Sequence, residues 1–340
     1  MRRWRVRWWV LSRGFDEPWQ LGGHEIPNRL VLAPLAGIGN WFVRLQAKRH
    51  GAGLVVSEMI SSFGLRYRDE RTLREFLKIH PEEHPVSMQL FGHDAEVMRE
   101  AASIVAGAGA DLIDLNMGCP VRKVCKTGAG AALLDDPDKA LAIARAAIEG
   151  GGGLPVTVKL RPGQRPGDRA GVELARAMAD IGIAGIAFHP RHASQQHKGR
   201  PDYALAAELV EAIDIPVVVS GDLLSDEKAH EALDRSGAEA VMLARGSLGN
   251  PWRFERLLGR REGEPSVAEI RQELEWVIDR AEEHLGVERA GRYLRKFYPW
   301  YAERLELPKE RHRALVEAST TEVARAQLAR LELPPTPVAA

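Results

Sequence analysis

Eight short apolar runs recur along the chain, at residues 30–32, 54–56, 86–90, 112–115, 156–160, 185–188, 217–220 and 240–243. Most show no alternation of apolar with polar positions, the exceptions being VSMQL at 86–90 and VTVKL at 156–160. A mainly apolar run is the pattern of strands covered on both faces. Helical spacing fills the intervals. Asp94 can cap a stretch reaching Ala108, Asp136-Pro137 offers a cap and a first-turn proline for one reaching Glu149, and Ser225-Asp226 opens another. Leu174, Met178 and Ile181 keep a helical period, as do Leu205 and Leu209. Eight strand-then-helix units predict an α/β protein with a (β/α)8 TIM barrel. Their even spacing favours closure over a doubly wound open sheet.

The pattern changes after the segment GRREGEP at 259–265. Val267, Ile270, Leu274, Val277, Ala281 and Leu285 form one apolar stripe, and shorter helical patterns cover 291–304, 309–318 and 321–331. They predict a small all-α bundle of four helices. The chain thus divides into an N-terminal extension at 1–24, a barrel at 25–258, a helical domain at 265–332 and a loose tail at 333–340.

Composition narrows the setting. A chain of 340 residues with 45% hydrophobic and 28% charged positions suits a large core plus a smaller unit. Two cysteines cannot build a disulfide framework and favour a reducing compartment. No apolar stretch approaches the roughly 18 residues of a membrane span. Lys and Arg balance Asp and Glu at 47 each, so a nucleic-acid partner must be met by a local basic patch. The basic, aromatic start (MRRWRVRWWVL) reads as a poorly ordered extension in preference to an interfacial anchor.

In a parallel barrel all strands aim their C-terminal ends at one face, and the run ends here carry chemistry. Cys119 stands in Gly-Cys-Pro after the fourth run, on a loop, where a thiol can act as nucleophile or proton donor. Cys125 fits no zinc spacing and reads as incidental. Arg122, Lys123 and Lys126, followed by small residues, suit a loop gripping an anionic polymer beside that thiol. Ser220-Gly221-Asp222 and Ala244-Arg245-Gly246 end runs seven and eight, the usual phosphate grip of such barrels. Lys159 points from run five and needs an anionic partner, for which a reduced flavin would serve. Gln89 could bond the edge of that ring, Ala33 and Pro34 could lie against it, and His189 could hold phosphate or position substrate.

Read in order, APLAG at 33–37, SEM at 57–59, QLFG at 89–92, NMGCP at 116–120, KLR at 159–161, HPR at 189–191, Gly221-Asp222, Arg245-Gly246 and NPW at 250–252 resemble the bacterial tRNA-dihydrouridine synthases. The similarity runs from about residue 26 to 258, and the helical tail resembles that family's tRNA-binding domain. The resemblance implies FMN as cofactor, NADPH as reductant and tRNA as substrate. Hydride would reach C6 of a uracil and Cys119 would protonate C5. It further implies flavin contacts from Ala33, Pro34, Leu35, Gln89, Lys159 and His189, with Ser220, Gly221, Asp222, Ala244 and Arg245 at the phosphate. Asn116, Arg122, Lys123, Lys126, Arg161, Arg191, Arg292, Arg295 and Lys296 would face tRNA, and Tyr293, Tyr298 and Trp300 would add stacking. A cytoplasmic enzyme with no metal, membrane or protein partner follows from the same resemblance.

The chain departs from the family at Ser220 (usually Asn), Ala244 (usually Gly), Pro190 and His192 (usually Gly and Thr), and His197 (usually Tyr). Two alternatives stay open: an FMN barrel reducing a free small molecule, and a non-catalytic RNA-binding scaffold. The cations of the tail weigh against the first, and the joint presence of Cys119 and Lys159 against the second.

Overall fold

All eight predicted strands form and pair in parallel, each with the next, in the computed structural model, which describes residues 14–331. Val241 pairs with Leu30 and Val55 with Val86, so the sheet closes on itself. The second strand is interrupted. Leu54–Val56 pairs with the start of Val86–Phe91 and Ile60–Ser61 with its end, with Ser57, Glu58 and Met59 between the two pairings. The third and fourth strands, Val86–Phe91 and Leu112–Asn116, each run one residue past their predicted ends. Asp94, Asp136 and Ser225 cap their helices as expected, each accepting a backbone N–H three residues on.

The N-terminal expectation needs correcting for residues 14–24, which are folded; residues 1–13 and the tail from 332 lie outside the described residues. Trp19–Leu21 and His24–Ile26 form an antiparallel hairpin. Its Trp19, Leu21 and Ile26 pack with Val31, Leu54 and Leu112 into the barrel interior. Trp19 Nε1 donates to the Asn28 carbonyl over 2.9 Å, so burying the indole leaves no polar atom unmatched. Gly22, at φ +57°, makes the turn so close to Pro155 that a Cβ would lie 2.2 Å from its ring.

The helical domain contains five helices, not four: Val267–Leu285, Val287–Leu294, Tyr298–Arg304, Lys309–Val316 and Thr321–Ala329. The predicted helix at 291–304 breaks because Pro299 has no N–H to donate and fits only a first turn, where it starts the third helix. Tyr298 and Tyr301 are fully buried and build this domain's core, so Tyr298 is no stacking platform for a base. Trp300 packs on Gly249 of the barrel, where a Cβ would come within 2.6 Å of it. Gln46 Nε2, on the first barrel helix, donates to Glu273 Oε1 (2.8 Å) and to Tyr301 Oη (2.9 Å), tying the two domains together. Among the described residues no helix is long and apolar enough to cross a membrane.

Candidate active site

A cavity of about 610 Å³ opens at the C-terminal ends of the strands. Its lining includes Ala33, Pro34, Leu35, Gln89, Asn116, Cys119, Arg122, Lys159, Arg161, His189, Arg191, Ser220, Gly221, Asp222, Ala244 and Arg245. Residues scattered over more than 200 positions therefore meet in one place. Lys123, Lys126, Arg292, Arg295 and Lys296 lie outside the lining.

The reactive loop is held by a chain of polar contacts that starts inside the barrel. Thr157 Oγ1 donates to Asp114 Oδ1 (2.6 Å), and Gln89 Nε2 donates to Asp114 Oδ2 (2.6 Å). Asn116 Nδ2 donates to Gln89 Oε1 (2.9 Å), and Asn116 Oδ1 accepts the Cys119 N–H (2.9 Å). Burial pushes the Asp114 carboxyl up, against the pull of the Gln89 and Thr157 hydrogen bonds. Asp114 was missed in the sequence, although an acid inside the apolar run DLIDLN was the available signal. Both ends of Asn116 are occupied by this chain, so its side chain anchors the loop first.

Cys119 is half-buried, and burial pushes its thiol above the ordinary cysteine value. At neutral pH it carries its proton, which suits an acid better than a nucleophile. Cys125 is not incidental to the loop, since its thiol lies 3.3 Å from the Cys119 carbonyl and donates to it. Arg122, Lys123 and Lys126 stand exposed on and beside the short helix Arg122–Cys125, with no ion pair among the described residues.

Arg161 was expected to face RNA, and the structure corrects this. It is 4% exposed, and its Nε donates to the Gly118 carbonyl (2.9 Å). Its Nη atoms donate to the carbonyls of Arg191, His192 and Gln196 at 3.0–3.2 Å. A guanidinium so committed braces two loops, with most of its five donors spent on carbonyls of this chain.

Arg191 was also assigned to RNA, and it too is buried, at 1% exposure. One Nη donates to the Gly199 carbonyl (2.7 Å), while Nε and the other Nη have no partner. His189 Nε2 beside it is likewise buried and unpartnered. Burial, followed by the charges of Lys159, Arg161 and Arg191, holds the His189 ring well below its usual value, so it is neutral. Asp222 does not face an anion directly. Its carboxylate takes Lys228 Nζ at 3.0 Å and stands 3.4 Å from Arg191, which orients that guanidinium.

Gly221, at φ +112°, lies so close that a Cβ would approach the His189 ring to 2.8 Å, and Tyr203 Oη fixes its carbonyl at 2.6 Å. Ser220 Oγ donates to the Phe188 carbonyl (3.4 Å), so it occupies itself within the sheet. Arg245 is exposed at the rim with no ion pair among the described residues. His197, flagged as unusual, stacks near His189 with ring centres 6.3 Å apart and joins the lining. Lys159 lines the cavity and makes no side-chain hydrogen bond or ion pair among the described residues. Burial, then Arg161, lowers it to about 8.

Buried nitrogens without partners at His189 and Arg191 leave room for an anion, since such groups are otherwise costly. A ligand with a phosphate at that end and a planar, electron-rich body reaching Lys159 and Cys119 satisfies the whole set. The cavity volume is in the range of cofactor sites. FMN has that shape and charge distribution, and the residues fit it.

Comparison with known proteins agrees with this architecture. Residues 31–334 match the profile of a family described as Dihydrouridine synthase (Dus). The chain is 37% identical over 293 residues to a tRNA-dihydrouridine synthase B from Xanthomonas axonopodis, covering 83% of this chain and 86% of that protein. It is 37% identical over 287 residues to the protein of that name from Pseudomonas aeruginosa, covering 83% and 86%. Among solved structures, morphinone reductase superposes with a TM-score of 0.54 at 16% identity, covering 76% of this chain and 94% of that one. The old yellow enzyme homologue of Zymomonas mobilis gives 0.56 at 17%, covering 76% and 96%. These two establish a shared barrel fold. The sequence relationship goes further: the chain belongs to the dihydrouridine synthase family.

Proposed function

We propose that this protein reduces uridine to 5,6-dihydrouridine in tRNA, using FMN held in the barrel cavity and NADPH as the source of electrons. The observation that carries the reading is a half-buried thiol at Cys119, held above its ordinary value by burial, sharing one cavity with Lys159 and with unpartnered buried nitrogens on His189 and Arg191.

His189 and Arg191 would hold the FMN phosphate, with Arg245 adding a charge-assisted contact at the rim. Lys159 would lie at the ring, and Ala33, Pro34 and Leu35 would pack against it. When bound and reduced, the flavin supplies the hydride that the C6 position of uracil accepts. Cys119 then holds the proton that C5 requires, on Sγ, in a loop fixed by Asn116 and Arg161. A cysteine whose proton is retained by burial is suited to giving it up to a developing carbanion.

A base stacked within folded RNA would not reach a thiol inside this cavity, so the target uridine would be turned out of its stack. Arg122, Lys123 and Lys126 flank the mouth and would meet the phosphates on either side. Arg292 and Arg295, both exposed, would extend that contact onto the helical domain. A tRNA substrate in a bacterial-type enzyme puts the work in the cytoplasm.

The test is direct. Purified protein, FMN and NADPH are incubated with unmodified tRNA transcript, and the digested nucleosides are weighed by mass spectrometry. The reading predicts uridine heavier by two hydrogens in tRNA and none from free uridine. Product from free uridine alone would favour a small-molecule reductase, and no product from either would end the proposal.

A further inference from the structure

The loop after the first barrel strand is held from outside the barrel. Ala33, Pro34, Leu35, Ala36 and Ile38 line the cavity, yet the loop's own polar groups turn away from it. Gly37 sits at φ +78°, and its N–H donates to Glu58 Oε1 at 3.0 Å. Its carbonyl accepts from Lys296 Nζ at 3.0 Å. The two peptide groups on either side of one residue are therefore gripped, one by a carboxylate from the barrel and the other by an ammonium from the helical domain. The next carbonyl, that of Ile38, accepts from Tyr293 Oη at 3.1 Å, and Tyr293 Oη in turn accepts from Asn40 Nδ2 at 2.7 Å. Lys296 Nζ also lies 4.9 Å from the centre of the Tyr293 ring.

The loop after the eighth strand is held from the same side. Gly249 packs on Trp300 at a distance only glycine allows, and Leu248 just before it lines the cavity. Two of the eight loops that shape the cavity thus rest on the helical domain. Arg292 and Arg295, which flank Tyr293 and adjoin Lys296 in sequence, stay exposed.

We propose that Tyr293 and Lys296 are positioning residues that set the shape of the first-strand loop against the flavin, so that the helical domain completes the active site as well as meeting RNA. Lys296 then acts through the Gly37 carbonyl and not through an RNA phosphate. The inference rests on the flavin reading for its ligand, but the loop contact can be tested without any ligand.

The variants are Lys296→Met, Lys296→Arg and Tyr293→Phe, compared with the wild-type full chain. Amide hydrogen exchange of residues 35–40 is measured in protein free of flavin and RNA. FMN is then titrated, and tRNA affinity is followed against salt. Exchange in 35–40 should quicken about tenfold in Lys296→Met and Tyr293→Phe, with partial recovery in Lys296→Arg, as expected on losing a hydrogen bond of this kind. FMN should bind roughly fivefold more weakly, with a shifted visible spectrum, while the salt dependence of tRNA binding stays unchanged. Unchanged exchange and FMN binding, with a salt slope reduced by about one, would overturn the inference and make Lys296 a phosphate contact. Should wild-type protein bind no FMN, the cofactor reading falls, and the exchange rates alone still decide the positioning role.

Discussion

The N–H of Cys119 donates to Asn116 Oδ1 over 2.9 Å, and this bond fixes where the thiol stands. The asparagine is itself held by Gln89, which is held by the buried Asp114. Replacing Asn116 by Ala removes the acceptor and frees the loop while leaving Lys159, His189 and Arg191 in place. Turnover should fall by roughly 100-fold, since a misplacement of about 1 Å costs that much. FMN affinity should stay within about twofold. Single-turnover kinetics and a flavin titration check the two halves, and a large loss of flavin binding would show that the loop supports the cofactor too.

Arg161→Met tests the brace. The substitution leaves carbonyls of Gly118, Arg191, His192 and Gln196 without this donor, the first two of them in buried bonds. Unfolding by urea should show a loss of about 3 kcal/mol, because each unsatisfied buried group costs about 1–3 kcal/mol and some find water. The salt slope of tRNA binding should not move. A stable variant with a lower slope would return Arg161 to the RNA surface.

Much of this was legible beforehand, for a physical reason. Strands buried on both faces are mainly apolar, so the eight runs stood out despite the polar residues some carry, and their ends marked the mouth of the barrel. Burial of a charge leaves no such trace. Arg161 and Arg191 look like any exposed arginine in a motif, and only the fold shows one bonded to several carbonyls and the other buried with two unpartnered nitrogens. The hairpin was illegible because its strands are three residues each, too short for a period to register. Tyr298 was misread because an aromatic among cations suits either a core or an RNA surface. Pro299, by contrast, was a visible helix break that the apolar spacing of 291–304 obscured.

Arg191→Met tests the phosphate grip. FMN and riboflavin share the ring and differ at the phosphate, so each can be titrated into wild type and variant. Wild type should prefer FMN strongly. In the variant FMN should bind at least about tenfold more weakly, the worth of one charge-assisted hydrogen bond, with riboflavin unaltered. Equal losses for both ligands would show that Arg191 shapes the pocket without touching the phosphate.

Lys159 gives a pH signature. Burial, then Arg161, lowers it from 10.5 to about 8, so the folded protein releases this proton earlier than the unfolded chain. Below about 8 the cost of the buried charge is fully present, and stability rises as pH climbs from there towards 10.5. An anion bound beside Lys159 restores its proton. Flavin affinity should therefore fall as pH rises above about 8, with no such fall in Lys159→Met. A fall that persists in the variant would implicate another group.

The central claim is that Cys119 donates the proton that completes uridine reduction, and one experiment addresses it most directly. Protein carrying reduced FMN is mixed anaerobically with unmodified tRNA, and the return of the flavin bands is timed across pH in wild type and Cys119→Ala. Wild type should react at a rate that is flat at neutral pH and falls once the raised thiol ionises. The variant should be slower by about 100- to 10,000-fold, the usual worth of a positioned acid, and should lose that alkaline limb. Equal rates and superimposable pH profiles would contradict the account.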